Sequence, residues 1–363
     1  MNVEVTSVSR RQQSLSQTAA AVFVITQDDI QRSGATNIPD ILRMVPGVYV
    51  AQISRNDWAI SIRGMNGRFS NELLVMIDGR TVYVPTFGGV FWDVVDLPLE
   101  DIDRIEVIRG PGGSVWGANA VNGVINILTK KAASTHGAMI VARGDTSGLE
   151  IGTVQYGGKI SNSADFRVFA NYRNEDGLRD PTGDLSFGGW HLLHGGFRTD
   201  VRLSSRDALS FQGDLYTGQE GVPQLTMPTV AAPVAVDYVN QVGLSGGFLQ
   251  ATWDHRFSSR SSTTVIASYQ RYARSDELNE RRGTFDLDFQ YNLSVGERNE
   301  VAWGFDFRHS SSRSEGSFVV SLRGSEGGCF CAPSTSSKSA ATALPWLPMV
   351  PKLFKNWRGT RST

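Results

Sequence analysis

Cysteine is almost absent: two residues in 363, Cys329 and Cys331, sit side by side as C-x-C near the end of the chain. No distant partner exists for a structural disulfide, and two thiols alone leave a metal site short of ligands. Also lacking is any apolar run of the ~18 to 20 residues that a membrane-spanning helix needs, because charges or glycines interrupt every such stretch. A membrane, if one is crossed, is crossed by strands. Thirty-five basic and thirty-six acidic side chains give a net charge of −1. No basic stripe is present to neutralise a phosphate backbone, which argues against nucleic acid as a partner. The start, Met1-Asn2-Val3-Glu4, has neither a basic n-region nor an apolar h-region. An export signal is therefore expected to have been removed, or Met1 is not the native start.

Catalytic motifs are equally scarce. There is no H-E-x-x-H, no G-x-S-x-G elbow and no carboxylate pair that spacing brings together. His191 and His194 are three residues apart, which on a strand puts them on opposite faces, so no metal site, cofactor or enzymatic activity is expected. The Gly-rich loop Gly110-Pro111-Gly112-Gly113 is not followed by Gly-Lys-Ser or Gly-Lys-Thr, which disfavours a phosphate cradle.

What is present divides near residue 135. From Ala21 to about Lys131, short β-rich runs alternate with helix-like pieces and tight turns, as in a small mixed α/β domain. Ala21–Ile25 reads as a strand, and Thr26 as the N-cap of a helical turn over Gln27–Gln31 that Gly34 stops. Ile38–Val45 has helical spacing around Pro39, and Tyr49–Ile53 resumes as strand. Ala59–Arg63, Leu73–Ile77, Ile105–Ile108 and Val124–Leu128 are further strands, with Asp78-Gly79 a hairpin turn and Ile102–Ile108 a short helix or turn feeding a strand.

After Gly137 the texture changes to long alternating strands. Phe285, Leu287, Phe289, Tyr291 and Leu293 share one face, while Thr284, Asp286, Asp288, Gln290 and Asn292 share the other. Val301–Arg308, Phe166–Arg173, Gly195–Leu203 and Leu249–Arg256 repeat the pattern, with Phe169 an exception. One such segment fits a sheet with a solvated face equally well; several in succession are the barrel pattern. The proline-bearing stretch Thr217–Tyr238 has the length of an extracellular loop. Roughly ten strand candidates lie between Gly137 and Gly324, against about twenty-two in a barrel wide enough to hold a folded plug. From Ser325 the alternation stops, and residues 325–363 read as a frameshifted or foreign tail.

Leu97–Lys130 reads LPLEDIDRIEVIRGPGGSVWGANAVNGVINILTK, and VFVITQDDI, DILRMVPGVYV, AISIRGM and LLVMIDGRTVY precede it in order. This segment closely resembles the plug signature of TonB-dependent outer-membrane receptors. The resemblance implies a mixed α/β plug (21–131) followed by antiparallel transmembrane β-barrel strands (137–324), with the barrel incomplete in this chain. Residues 1–20 then form a periplasmic segment. In it Glu4, Val5, Thr6, Ser7 and Val8 resemble the TonB box, which pairs with the edge strand of the TonB energy-coupling protein.

By the same resemblance, Arg104, Glu106 and Arg109 are plug–barrel contacts around the turn Gly110, Pro111, Gly112 and Gly113. Ligand is expected at the plug apices, 66–71 and 83–92, on Arg68, Phe69, Tyr83, Phe87, Phe91 and Trp92. Those aromatic residues equally suit packing of plug against wall. The implied function is active uptake of a scarce ligand, a ferric siderophore before cobalamin, haem or sugars, across the bacterial outer membrane and among its lipids. A passive porin, an outer-membrane enzyme, or the product of an interrupted gene are the alternatives.

Overall fold

The computed structural model describes residues 4–7, 13–14, 18, 20–68, 70–117, 119–177, 188–225, 237–275, 279–296, 299–314 and 341–342. Val8, Phe69 and nearly all of the tail from Ser325 lie outside the described residues.

The first region opens with two short paired strands, β1 (Glu4–Val5) and β2 (Gln13–Ser14), and continues through β3 (Val22–Thr26) into α1 (Gln27–Ser33). Thr26 caps α1 as expected. Its hydroxyl accepts from the Asp29 amide at 3.2 Å and the Asp29 carboxylate accepts from the Thr26 amide at 2.9 Å, which closes a capping box. Gly34 ends the helix at φ 69°, a left-handed conformation that costs glycine little. Helix α2 (Ile38–Leu42) is shorter than the spacing predicts. Met44 and Val45 fall in a closing turn, bonded to the Ile41 and Leu42 carbonyls, before Pro46-Gly47.

Strands β4 (Val48–Gln52) and β5 (Trp58–Ile62) form a separate pair. β6 (Leu73–Ile77), β7 (Arg80–Thr81), β8 (Ile102–Arg109), the single-turn helix α3 (Gly113–Trp116) and β9 (Gly123–Thr129) complete the region. β8 starts directly at Ile102 behind a 3₁₀ turn over Leu99–Asp101, so the helix or turn expected at Ile102 lies three residues earlier. The sheet order is β3-β8-β9-β6-β7, with β6 and β9 parallel. Asp78 and Gly79 join β6 to β7 at φ 48° and 81°, the double positive φ that suits an Asp-Gly hairpin.

Alternation along these strands sorts the core into two faces. Ile25, Val75, Ile105, Val107, Ile125 and Ile127 pack with Trp58, Ile41 and Leu42 on one side. Leu74, Met76, Ile108, Ala120 and Val124 form a smaller cluster on the other. Each full burial of this kind stabilises by roughly 1.5–3 kcal/mol. Gly123 lies where the return strand passes closest: a Cβ there would stand 2.5 Å from Ile62 Cδ1 and 2.6 Å from the Ile108 carbonyl oxygen. The carbonyl is backbone and cannot step aside, so Gly123→Ala is expected to lower stability by about 1–3 kcal/mol, read as a lower midpoint in thermal unfolding. An unchanged midpoint would show that the sheet absorbs the methyl.

The second region is one antiparallel sheet of consecutive strands: β10 (Gly137–Gly144), β11 (Leu149–Ser161), β12 (Ala164–Glu175), β13 (Trp190–Arg202), β14 (Asp207–Leu225), β15 (Asp237–Ser258), β16 (Ser261–Arg274), β17 (Glu280–Val295) and β18 (Asn299–Ser314). Ala341–Thr342 makes a two-residue strand against β18. The stretch read as a loop from Thr217 to Tyr238 is largely strand in its flanks, since β14 runs on to Leu225 and β15 begins at Asp237.

This sheet curves with its polar face toward the plug, and the burial order is inverted relative to a water-soluble protein. Thr284, Asp286 and Gln290 are buried, while their apolar neighbour Phe285 is 39 % exposed. Tyr172, Leu193, Leu215, Trp303 and Phe305 are likewise exposed, whereas Asn171, Arg173, His194 and Gln212 are covered. A sheet that hides its charges and presents aromatic and aliphatic side chains outward matches a lipid environment. Phe169, the exception to the alternation, faces inward and meets His194 edge-on at 5.3 Å between ring centroids.

Candidate functional site: the plug, its wall and its two ends

Where the plug meets the wall, carboxylates on plug turns face arginines on wall strands. Asp96 takes Arg173 Nε at 3.0 Å and Asn171 Nδ2 at 2.9 Å. Asp93 takes Arg274 Nη1 at 2.6 Å, and Asp78 meets Arg198 at 3.4 Å and Gln212 Nε2 at 3.1 Å. Asp101 lies 3.5 Å from Arg167, and Glu100 pairs with Arg143. The opposite polarity also occurs, in Arg55 with Glu175 at 3.3 Å and Asn56 with Glu220. Arg167 and Arg173, on the polar face of β12, are 4 % and 2 % exposed, so partners on the plug are obligatory rather than optional. The polar strand faces are visible in the sequence. Their partners in plug turns are not, because nothing local marks a pairing across 77 residues such as Asp96 with Arg173.

Burial pushes the Asp101 carboxyl up to about 6, with Arg167 opposing the rise. Its folded value thus lies above the unfolded one, so protonation favours the folded state. The contribution is complete below about pH 4, declines as pH rises and is gone above about 6. Relative to Asp101→Asn, the protein is expected to lose about 3 kcal/mol of stability between pH 4 and pH 7. Denaturant unfolding of both proteins across that range checks it, and parallel curves would refute it.

The three charged residues expected to touch the barrel do something else. Glu106 is fully buried in β8, between β3 and β9, on the face that carries Ile108 and Asn126. Its carboxylate accepts from the Thr6 amide at 2.9 Å, the Ser7 amide at 2.8 Å, the Ser7 hydroxyl at 2.6 Å and Arg104 Nε at 2.8 Å. Arg104 also pairs with Asp103, and Arg109 Nη1 donates to the Pro46 carbonyl at 3.1 Å. Among the described residues none of the three bonds to a wall strand. The reason is strand parity, which turns Glu106 toward the N-terminal segment.

That segment is the TonB-box-like stretch. Val5 and Ser7 are completely buried. Trp116 Nε1 donates to the Ser7 carbonyl at 2.7 Å, and Asn126 Nδ2 to the Ser7 hydroxyl at 3.0 Å. The Gly110–Gly113 turn delivers Trp116 to this position. Gly112, in the turn, sits where a Cβ would come within 2.8 Å of Val124 Cγ2.

The expected apices are the loops at 66–71 and 83–92. Arg68 is half-exposed and held by Asp57 at 2.5 Å. Burial raises the Asp57 carboxyl above its ordinary range, and Arg68 opposes that shift. Phe87 packs edge-on against Phe91 at 5.0 Å. Trp92 is 7 % exposed and belongs to the main plug core, which removes it from a ligand face. Phe91 lies beneath Arg274 at 4.0 Å and beside Tyr272 at 6.1 Å, and Tyr83 beneath Arg308 at 4.7 Å. Tyr83 and Phe91 thus pack plug to wall, and their rings are covered by wall cations. His194 is buried between the Asp96 carbonyl at 2.9 Å and Asp214 at 3.0 Å, with His191 on the exposed face.

Comparisons with known proteins agree with this geometry. Residues 14–124 match the family described as TonB-dependent Receptor Plug Domain. The vitamin B12 transporter BtuB of Vibrio cholerae is 30 % identical over 200 residues, covering 55 % of this chain and 32 % of the relative. That of Vibrio vulnificus is 28 % identical over 188 residues, covering 51 % and 30 %. The chain therefore spans about a third of the length of these curated relatives. Among solved structures, FpvA of P. aeruginosa bound to a heterologous pyoverdine superposes with a TM-score of 0.67 at 16 % identity, covering 86 % of this chain and 45 % of that one. The ferric-catecholate import receptor Fiu from E. coli K12 gives 0.62 at 19 % identity, covering 84 % and 51 %. Identities this low establish the fold alone. With a matching plug, polar-faced antiparallel strands around it and an outward apolar surface, residues 14–124 are a TonB-dependent receptor plug domain and the chain has the fold of the TonB-dependent receptors of the bacterial outer membrane.

Proposed function

We propose that this chain is the plug-bearing part of a receptor that takes up a scarce ligand across the outer membrane with energy supplied through TonB. The observation that carries the proposal is the docking of Thr6 and Ser7 on one buried carboxylate, Glu106, in the plug sheet. A β-prone segment held by a few hydrogen bonds can be exchanged for pairing with the edge strand of a partner protein. Pulling on it acts on β8, and through β8 on a plug held to the wall by ion pairs and hydrogen bonds together with aromatic packing at Trp58–Trp190 and Phe91–Tyr272. A passive porin has no use for such a plug, and the family consists of transporters and receptors rather than enzymes.

In this reading the ligand meets the apex at Arg68, Phe69 and Phe87, while Tyr83, Phe91 and Trp92 hold the plug in place. A ferric siderophore is the proposed class, its anionic groups suited to Arg68 and its bulk to aromatic faces. A corrinoid is the second reading, favoured by the sequence relatives that are vitamin B12 transporters.

The test is uptake by cells that lack their own receptors and express the full gene carrying this chain, with and without TonB. TonB-dependent entry of ⁵⁵Fe from a hydroxamate or catecholate siderophore supports the first reading. TonB-dependent entry of ⁵⁷Co-cyanocobalamin alone replaces it with the second. Uptake indifferent to TonB, or none, overturns both.

A further inference from the structure

The wall strands are joined alternately at two ends, by the short turns 162–163, 203–206, 259–260 and 296–298 at one, and by the segments 145–148, 176–189, 226–236 and 275–279 at the other. Short turns mark the periplasmic rim of an outer-membrane barrel, and long connections such as 176–189 and 226–236 mark the extracellular rim. On the outward face of β17, Tyr291 stands near the short-turn rim. From there to Arg281 the tilted strand climbs about 25 Å, the height of the apolar band, so Arg281 reaches the extracellular interface.

Register gathers positive charge at that level. Arg281 of β17 lies directly opposite Arg313 of β18, and the next outward position, Gly283, lies between Arg271 of β16 and Ser311 of β18. Below them, Phe285 lies between Tyr269 and His309. The intervening residues Tyr272, Arg274, Glu280 and Arg282 turn inward, to Phe91, Asp93 and Thr86 of the plug. Arg271, Arg281 and Arg313 therefore face outward, and all three are exposed. Gly283 leaves a gap among them, and Tyr269 leans across it, with Oη 2.8 Å from where a Cβ of Gly283 would stand. Tyr269, Phe285 and Phe307 are exposed on the same face and form the aromatic edge of the apolar band.

Like charges directly opposite across a ladder repel, and diagonal neighbours stand only about 7–8 Å apart. Nothing on this face offsets the repulsion. The wall carboxylates Glu280 and Asp286 pair inward with Arg282 and Arg308. Among the described residues, the outward positions of β16 to β18 above Tyr269 carry no acidic side chain.

We propose that Arg271, Arg281 and Arg313 bind the phosphate groups of a lipid anchored in the outer leaflet, with phosphate over Gly283 and acyl chains against Phe285 and Phe307. Guanidinium forks match phosphate oxygens, and the hydroxyls of Tyr269 and Ser311 add donors. Free phosphate would meet the arginines alone, whereas a lipid also covers the aromatic rings beneath them, which favours the lipid. The surface lies on the outer face of the wall and is independent of which ligand the receptor carries.

The experiment titrates the intact receptor in detergent with lipid A carrying its phosphates and with the same lipid A after dephosphorylation, reading bound lipid by native mass spectrometry. The phosphorylated form is expected to bind about a hundredfold tighter, on the scale of a few charge-assisted hydrogen bonds. R271Q/R281Q/R313Q is expected to bind both forms alike. Equal binding of the two lipids by the unaltered receptor, a comparison that needs no variant, would overturn the proposal, as would a phosphate preference that survives the three substitutions. Inorganic phosphate that displaces the lipid at matching concentration would overturn the assignment to a lipid.

Discussion

Replacing Arg274 with leucine is expected to destabilise the docked plug by about 3–5 kcal/mol, the usual cost of removing one partner from a buried charge group. Arg274 is 8 % exposed and serves two carboxylates at once, Asp93 on the plug at 2.6 Å and Glu220 on β14. Those groups are 4 % and 1 % exposed, so neither gains water when the guanidinium goes. The ring of Phe91 loses its overlying cation in the same step. Urea unfolding of purified receptor measures the loss. The triple variant R274L/D93N/E220Q, which removes the stranded charges as well, is expected to recover most of it. If the single variant is as stable as the parent, the cluster is hydrated in solution and the plug is not clamped there.

Glu106→Ala is expected to release the N-terminal segment without unfolding the plug. Hydrogen bonds to a charged acceptor are worth roughly 1.5–3 kcal/mol each, and the Thr6 amide, Ser7 amide and Ser7 hydroxyl all lose theirs. Even the lower bound for two of them corresponds to a change of about a hundredfold in the docked equilibrium. Hydrogen exchange at the Thr6 and Ser7 amides reads this directly, with protection expected to fall by about that factor while β8 and β9 stay protected. Unaltered protection would mean that Trp116 and Asn126 hold the segment by themselves. Glu106→Gln separates charge from shape, since an amide oxygen still accepts while the charge assistance is lost.

Local rules made much of the plug legible. The Thr26 capping box, the Gly34 stop, the Asp78-Gly79 hairpin and the apolar runs of β5, β6 and β9 each rest on residues within a few positions of one another, and the structure places them within a residue or two of expectation. Strand alternation after Gly137 gave the polar and apolar faces, including the placement of His191 and His194 on opposite sides. The misplacements have equally local causes. α2 ends at Leu42 because the chain must already turn toward Pro46-Gly47, and β14 extends to Leu225 because its pairing with β15 continues out to Asp237.

Site residues were harder to assign, for a different reason. Arg104, Glu106 and Arg109 are three charges on one strand and its adjoining turn, and charge type alone does not say which surface each meets. Parity sends Glu106 to the N-terminal segment, and the sheet's position gives Arg109 a backbone carbonyl within the plug. Likewise Trp92 and Phe91 are adjacent and both aromatic, yet one enters the plug core and the other packs beneath a wall arginine.

The sequence by itself determined the two-region architecture, the plug signature and the inverted faces of the wall strands, because each is written in spacings that the backbone period converts directly into geometry. Only the tertiary structure decided which charges meet. The pairs Asp96–Arg173, Asp93–Arg274 and Glu106 with Thr6 and Ser7 join positions 77, 181 and about 100 residues apart. A desolvated charge takes its partner from whatever the packed chain brings within reach, and that information resides in the closed fold.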